Sequence, residues 1–346
     1  MIEIIDRPLV EIEASEAEKL LKKDLKRLKK MAATMTVNEA GYLVRLYYQM
    51  QENRIRGGGQ VRAIGEEPHE ALRWFMNEAE TLEGQIKGML GIFALSRTVG
   101  KWALSIHGIG PVISAGLIAN IPFQIWDCMQ AKSGLLPKAK ACPRGKPCSE
   151  ACRFRRANTA GSIYSLAGLN PTVKWNKGEK RPWSTKLKRL MWLIGQSFLR
   201  GHKNEKDFYG KFYALRKLQE VERNDQGLFA EQAELIMNTK KIGKETDAFQ
   251  WYSGCYPDGA MADVLKLDAA SRPTFLKKIW QEPGRYSRKL PPAHIQQRAE
   301  RYATKIFISH WHQVGYMAEF GEPAPAPFPI AIQGHAGMIE PPNWPF

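Results

Sequence analysis

The sequence predicts a mainly α-helical protein with a helical N-terminal arm, a helix-hairpin-helix core that carries a cysteine-containing loop insertion, and a helical C-terminal region. Apolar residues recur every three to four positions over most of the chain, and strand-like alternation is scarce. A glycine-rich turn also separates two helical stretches in the first half of the chain. We expect four segments: 1–98, 99–200 with an insertion at 122–160, 201–320, and a proline-rich tail at 321–346.

The charge of the chain is unevenly distributed. The formal net charge is +16, yet residues 1–100 contain 15 Lys/Arg and 15 Asp/Glu, whereas residues 131–190 contain 15 and 2. A local basic excess of this size is typical of a surface that faces phosphates. A solvated lysine-rich loop and an anionic membrane surface are the alternatives. Because no apolar run reaches the roughly 18 residues of a membrane span, we expect no membrane partner.

The first hundred residues are predicted to form the arm. Thr36 and Glu39 have the spacing of a capping box, and Leu43, Leu46 and Tyr47 supply an apolar helix face. Gly57–Gly59 predicts a flexible joint within the arm. Such an arm favours dimerisation, so we expect a homo-oligomer, although a solvated arm without a partner fits the pattern equally well.

The central motif is a glycine-lined turn at the start of a helix. Gly108, Ile109 and Gly110 precede Pro111, which suits the first position of a helix. Glycines at the N-terminus of a helix let a phosphate approach free backbone N–H groups, and the helix dipole favours its negative charge. We therefore predict that this hairpin binds a nucleic-acid backbone. The alternative is an ordinary turn between two core helices.

Cysteines cluster in the basic insertion. Cys142, Cys148 and Cys152, with Cys128 upstream, are candidate ligands of a structural zinc ion, since thiolates are its usual ligands and this polar loop has little apolar material to order it. Their spacing matches no specific zinc pattern, and free cysteines are the alternative. Five cysteines in all, an odd number, favour a reducing cytoplasm.

A basic loop and a basic helix follow the insertion. The loop after Gly168 carries cations between two tryptophans, and Ser184 is placed to cap the next helix, with Leu187, Leu190, Ile194 and Phe198 facing inward. The tryptophans either stack against bases or anchor the loop to the core. Residues 174–189 contribute the remaining predicted DNA contacts: Lys174, Trp175, Lys177, Lys180, Arg181, Lys186, Lys188 and Arg189.

The C-terminal part is predicted to be helical. Residues 205–240 form one helical stretch with Phe208, Phe212, Leu215 and Leu218 facing inward, and another helix runs from Pro291-Pro292 to about Phe320, with Tyr302 among its apolar positions. His310 and His312 lie two positions apart, so their side chains point away from each other on a helix. We interpret them as structural or DNA-facing rather than as metal ligands.

Two motifs together resemble a known family. Ile106-His107-Gly108-Ile109-Gly110-Pro111, followed by Leu166-Ala167-Gly168-Leu169-Asn170-Pro171, a Lys/Gly loop and a basic helix, is similar to the C-terminal domain of insertion-sequence transposases of the 110/116/902 group. The resemblance covers about residues 99–200 and is interrupted by the insertion. It implies DNA transposition by an N-terminal RNase H-like domain, with four metal-binding acidic residues, and a serine nucleophile in the Lys/Gly loop.

This chain departs from both catalytic features of that family. The residues before Ile106 are mostly helical and lack the alternating strands of such a nuclease. In the loop after Pro171, Thr172 is the nearest hydroxyl, and Ser184 fits a helix cap better than a nucleophile. The family's DNA-binding half is therefore carried over, and its catalytic residues are not.

The sequence thus predicts a cytoplasmic, nucleoid-associated, transposase-like DNA-binding protein of a mobile element or prophage, with RNA left open as a ligand. One alternative is an active recombinase, using Mg²⁺, whose catalytic groups are unrecognised or supplied by a partner. The other is a protein scaffold whose basic surface meets an acidic partner.

Overall fold

The computed structural model describes residues 14–64, 69–128, 152–331, 334 and 337–345. It confirms the mainly α-helical class. The chain divides into two units at the glycine turn. The first, here the arm unit, comprises Met1–Leu104 and Gly110–Pro122; the second, here the basic unit, comprises Ser105–Ile109 and Phe123–Phe346. This division differs from the four expected segments, because the helix after the turn is grouped with the arm rather than with the basic loop.

The arm unit is built on two long helices that a third helix covers. Its helices are α1 (Ala14–Met31), α2 (Val37–Ala63), α3 (Glu70–Leu95), α4 (Thr98–Ser105, of which the last residue belongs to the basic unit) and α5 (Pro111–Asn120). The capping box at Thr36 and Glu39 is present as predicted. Helix α5 packs against both α2 and α3. The apolar core between them consists of Ala40, Val44, Ile86, Leu90, Phe93, Val112 and Ala115.

The predicted joint at Gly57–Gly59 is wrong, because α2 runs through the three glycines without a break. Glycine disfavours a helix interior by about 1 kcal/mol per residue, so the local sequence argued for a break. Tertiary packing explains the continuity. A Cβ atom at Gly57 or Gly58 would lie 3.7 or 3.3 Å from the terminal atoms of Met76 on α3, so the small residues leave room for that side chain.

The predicted irregular insertion begins and ends as a β-ribbon. Strand β1 (Gln124–Cys128) pairs antiparallel with β2 (Cys152–Ala157), with an irregularity in register between Ile125 and Trp126. Cys128 lies directly opposite Cys152 in this register. Sequence reasoning missed the ribbon because each strand is short and its partner lies more than 20 residues away along the chain.

The basic unit is organised around one 29-residue helix. Its helices are α6 (Ala160–Leu166), α7 (Thr185–Gly201), α8 (Phe208–Asp225), α9 (Ala230–Thr239), α10 (Asp247–Tyr252), α11 (Ala260–Lys266), α12 (Ser271–Ile279), α13 (Pro292–Phe320) and α14 (Phe328–Ala331). Helix α13 packs against α6, α7 and α8. Its buried Phe307 and Trp311 meet Phe198 of α7, Tyr209 of α8 and Phe123.

The predicted inward face of α8 is partly wrong. Leu215 and Leu218 are 59% and 68% exposed, while Tyr209 and Tyr213 are buried. The buried stripe is displaced by one position, because α8 packs against α13 through its tyrosines, as in the contact of Tyr209 with Phe307. On α13 itself, Tyr302 is also exposed rather than buried.

A second core in the basic unit lies among α9 to α12. Its largest buried side chains include Trp251, Tyr256 and Met261. Lys289 is 1% exposed there, and its ammonium group pairs with Asp258 at 2.8 Å. Among the residues that the structure describes, no helix is long and apolar enough to cross a membrane.

Candidate nucleic-acid interface

The glycine turn forms as predicted at the level of the backbone. The N–H group of Ile109 donates to the carbonyl oxygen of Ile106 at 3.1 Å, and Gly108 has φ +84°. Gly110 is the N-cap of α5 without a side-chain cap, and Pro111 occupies its first turn. Gly108 is exposed and Gly110 half-buried, whereas the side chain of Ile109 is buried. Ile109 can therefore reach a ligand only through its backbone.

Side chains of the basic unit fix the first part of the turn. Ser197 of α7 donates through Oγ to the carbonyl oxygen of Gly108 at 2.6 Å, and a Cβ at Gly108 would lie only 2.6 Å from that Oγ. Near the C-terminus, Asn343 donates through Nδ2 to the carbonyl oxygen of Ser105 at 3.1 Å. Gly108 belongs to the basic unit and Gly110 to the arm unit. The single cradle formed by both glycines and the basic loop stays a prediction.

The basic loop is a folded turn rather than an open chain. The N–H group of Glu179 donates to the carbonyl oxygen of Asn176 at 3.2 Å, and Gly178 adopts φ +97°. The carboxylate of Glu179 accepts two bonds from Asn176, at 3.3 Å each. The one acidic residue of the loop is thus engaged within the turn. Around it three predicted contacts are exposed to solvent: Lys174, Lys177 and Lys180.

The two indole rings of the loop make cation–π contacts. Trp175 and Trp183 make an edge-on contact with ring centroids 6.4 Å apart. The guanidinium carbon of Arg181 lies 5.1 Å from the Trp175 ring centroid, and the ammonium nitrogen of Lys188 lies 4.2 Å from that of Trp183. Trp175 also donates through Nε1 to the Glu179 carbonyl oxygen at 2.7 Å. These contacts engage both indoles within the loop and with α7.

Helix α7 presents its basic residues outward, as predicted. Ser184 caps the helix by accepting the N–H group of Leu187 at 3.3 Å, and its own N–H group donates to the carbonyl oxygen of Leu166 at 2.8 Å. The predicted apolar positions Leu187, Leu190, Ile194 and Phe198 are buried. Lys186, Lys188 and Arg189 are exposed, and α7 contains no acidic residue.

Arg301 of α13 completes this surface, and sequence reasoning missed it. Although the side chain of Lys188 is exposed overall, its ammonium group lies over Trp183 and is partly desolvated, which lowers its pKa; the charges of Arg301 and then Arg181 lower it further. Desolvation likewise lowers the pKa of Arg301 and of Lys305. The charge of Arg298 lowers the pKa of Arg301 further, and the charge of Arg301 does the same for Lys305. Arg298, Arg301 and Lys305 are three and four positions apart, and this spacing in the sequence indicates that they lie on one side of a helix. We call the following set the cationic face: Arg181, Lys186, Lys188, Arg189 and Arg301.

A zinc site among the cysteines stays a prediction. Cys128 and Cys152 are brought opposite each other by the ribbon, while Cys142 and Cys148 lie outside the described residues. Within the described part of the chain, no three His, Cys, Asp or Glu side chains are grouped as metal ligands, and Cys255 is a buried free thiol.

The hydroxyl nearest to the family's serine position is already engaged. Thr172 donates through Oγ1 to Oδ1 of Asn170 at 2.8 Å, which is a local turn contact. A buried acid that interacts with His107, next to the glycine turn, is Asp207, whose Oδ1 accepts the N–H group of Gly210 at 2.8 Å. Burial raises the pKa of Asp207, and the hydrogen bond from the N–H group of Gly210 opposes that rise. Both side chains have structural roles in this geometry.

Comparison of the chain with known protein families, with curated proteins and with solved structures gave no match. The resemblance to the transposase group therefore rests on the two sequence motifs alone.

Proposed function

We propose that the protein binds nucleic acid, with duplex DNA as its expected ligand, through contacts of the cationic face with the phosphate backbone. The observation that carries this proposal is the group of exposed cations on the loop and on α7, a helix that contains no acidic residue. Within this group, desolvation lowers the pKa of Lys188, and repulsion by Arg301 and then by Arg181 lowers it further. A polyanion that places phosphates against these groups relieves the repulsion and stabilises their charged forms.

The geometry of the loop supports recognition of phosphates rather than bases. Trp175 and Trp183 already contact Arg181 and Lys188, so the indoles orient cations instead of offering free stacking platforms. Gly108 extends the same surface, because Ser197, which binds it, lies three helical turns after Lys186 on the same side of α7. That separation is about 16 Å, or roughly five base-pair steps of a duplex.

The resemblance to the transposase group supports DNA as the ligand and a mobile element as the setting. The proposal is limited to binding, because neither catalytic feature of that group is carried over residue by residue. Strand cleavage of a supercoiled plasmid with Mg²⁺ is the separate measurement that would add an activity.

The test is a binding titration with a matched charge control. The variant K177E/R181E/K186E/R189E removes four exposed cations of the loop and of α7. We expect its affinity for a 30-base-pair duplex, a length of roughly three helical turns, to fall more than tenfold at low salt. The control K240E/K244E/K277E/K278E makes the same net change at exposed positions after α9 and on α12, and should stay within about threefold of wild type.

Two outcomes would overturn this function. Equal losses in the two variants would show that only the net charge matters. Equal competition by polyglutamate and by duplex DNA, at matched charge, would favour the scaffold with an acidic partner. Tighter binding of duplex RNA than of duplex DNA would keep the surface and change the ligand.

A further inference from the structure

The groove between α2 and α3 is filled over only part of its length. The 27 residues of α2 span about 40 Å, whereas the ten residues of α5 span about 15 Å. Helix α5 contributes Val112 and Ala115 to the core near the base of the arm. Beyond that point the described residues 51–64 and 69–82 include no buried side chain.

Apolar side chains continue along the uncovered part. On α3, Leu72, Phe75 and Leu82 fall on the same helical face as the buried Ile86 and Leu90, because their separations fit helical periodicity. They are 39%, 65% and 44% exposed. On α2, Ile55 continues the face of Val44 and is 59% exposed. We call Ile55, Leu72, Phe75 and Leu82 the distal stripe.

The charges of the two helices are complementary. Helix α2 contains four Arg and two Glu, and α3 contains four Glu and two basic residues, so their net charges are +2 and −2. One pair of these charges, Arg54 with Glu83 at 2.7 Å, joins the two helices within a copy, and without that pair the remaining excess is +1 on α2 and −1 on α3. Four of the other charged residues are exposed: Arg56, Arg62, Glu78 and Glu80. The arm unit carries a net charge of only +1 in a chain of +16, so two copies can approach here without the repulsion that the basic unit would impose.

We propose that the distal stripe binds the same stripe of a second copy of this chain, with α2 of each copy against α3 of the other. A two-fold symmetric contact of this kind buries the same residues on both partners. It covers the apolar face that α5 leaves open, and it brings each positive helix against a negative one. The proposal is independent of nucleic-acid binding.

Charge exchange between the helices tests this pairing on the full chain. The variant R56E/R62E changes α2 from +2 to −2, and E78R/E80R changes α3 from −2 to +2; all four side chains are exposed. Measured by sedimentation equilibrium without nucleic acid, each variant alone should self-associate at least tenfold more weakly than wild type. An equimolar mixture of the two should form a heterodimer, since its helices again carry opposite charges.

The variant that combines all four changes has the same net charge as wild type, with the signs of α2 and α3 exchanged. It should dimerise as wild type does. Phe75→Lys should weaken association in every background, and circular dichroism should show unchanged helix content. A monomeric wild type at 100 μM, roughly the concentration range of weak dimers, would overturn the proposal. So would a mixture that stays monomeric, or a distal stripe that binds only some other protein.

Discussion

His310 shows how a polar residue on an apolar helix face is accommodated in the basic unit. It is 2% exposed, and its Nε2 lies 2.8 Å from the carbonyl oxygen of Ile339, which can only accept a hydrogen bond. Nε2 therefore carries the proton, and Nδ1 accepts the hydroxyl of Tyr209 at 2.7 Å. The neutral ring thus satisfies both contacts. His312 is buried as well, with Nε2 2.7 Å from the carbonyl oxygen of Asn158.

The burial of His310 predicts a defined loss of stability in acid. Burial lowers its pKa from 6.5 to about 4, against a smaller opposing effect of the bond to Ile339. A depressed folded-state pKa means that the stabilisation is fully present above pH 6.5 and is lost as the pH falls toward 4. Integrated over that interval, one such group is worth about 3 kcal/mol. Unfolding by urea at several pH values measures it.

The variant His310→Gln isolates this contribution. Glutamine keeps a donor for Ile339 and does not titrate, so its stability should fall less steeply between pH 6.5 and 4 than that of wild type. All other side chains are common to the two proteins and cancel in the comparison. Parallel curves for the two proteins would contradict the assignment.

At the scale of single residues, the sequence predicted what local chemistry decides. Ser184 caps α7 and Lys186 faces solvent, because a hydroxyl before an apolar helical run and a cation between buried leucines each have one favourable placement. Arg301 was missed because its relation to Lys188 arises only when α13 packs against α7. The same holds for the contact of Asn343 with Ser105, which spans 238 positions.

At the scale of elements, the glycines of the arm give a test of packing against propensity. Gly59 lies inside α2 with no atom within 4 Å of an added Cβ. Gly59→Ala should therefore stabilise the protein by about 0.5–1 kcal/mol, because alanine favours the helix and restricts the unfolded chain. In contrast, a Cβ at Gly100 in α4 would overlap the carbonyl oxygen of Ala94.

Gly100→Ala is the matched opposite and should destabilise the protein by about 1–3 kcal/mol, since the backbone of α3 must move. Thermal or urea unfolding of the two variants gives both values. Equal effects of the same sign at the two positions would contradict the packing described for the arm unit.

The elements that sequence reasoning placed well are those with strong ends and one clear apolar face. Helix α2 begins at the capping box of Thr36, and α13 begins at Pro292 as predicted. The interior of α2 and the face of α8 were predicted wrongly, because Met76 against Gly58, and α13 against Tyr209, are tertiary contacts that no local pattern contains. The ribbon of β1 and β2 depends on pairing across the insertion and was missed for the same reason.

At the scale of the whole molecule, charge is separated by unit. The arm unit has a net charge of +1, so the basic unit carries the remaining +15 of the chain. This division lets the two proposed activities be tested apart, because variants of the distal stripe leave the cationic face unchanged. Sequence composition predicted the separation of charge, whereas the grouping of α5 with the arm became visible only in the folded structure.

The most direct test of the central proposal is the salt dependence of duplex binding. If each of the five residues of the cationic face neutralises one phosphate, the slope of the logarithm of the binding constant against the logarithm of the salt concentration is about −4.5, since each contact contributes about −0.9. The variant K188A/R301A should reduce the magnitude of that slope by about 2. A slope near zero for wild type, or an unchanged slope in the variant, would contradict the assignment of nucleic-acid binding to this face.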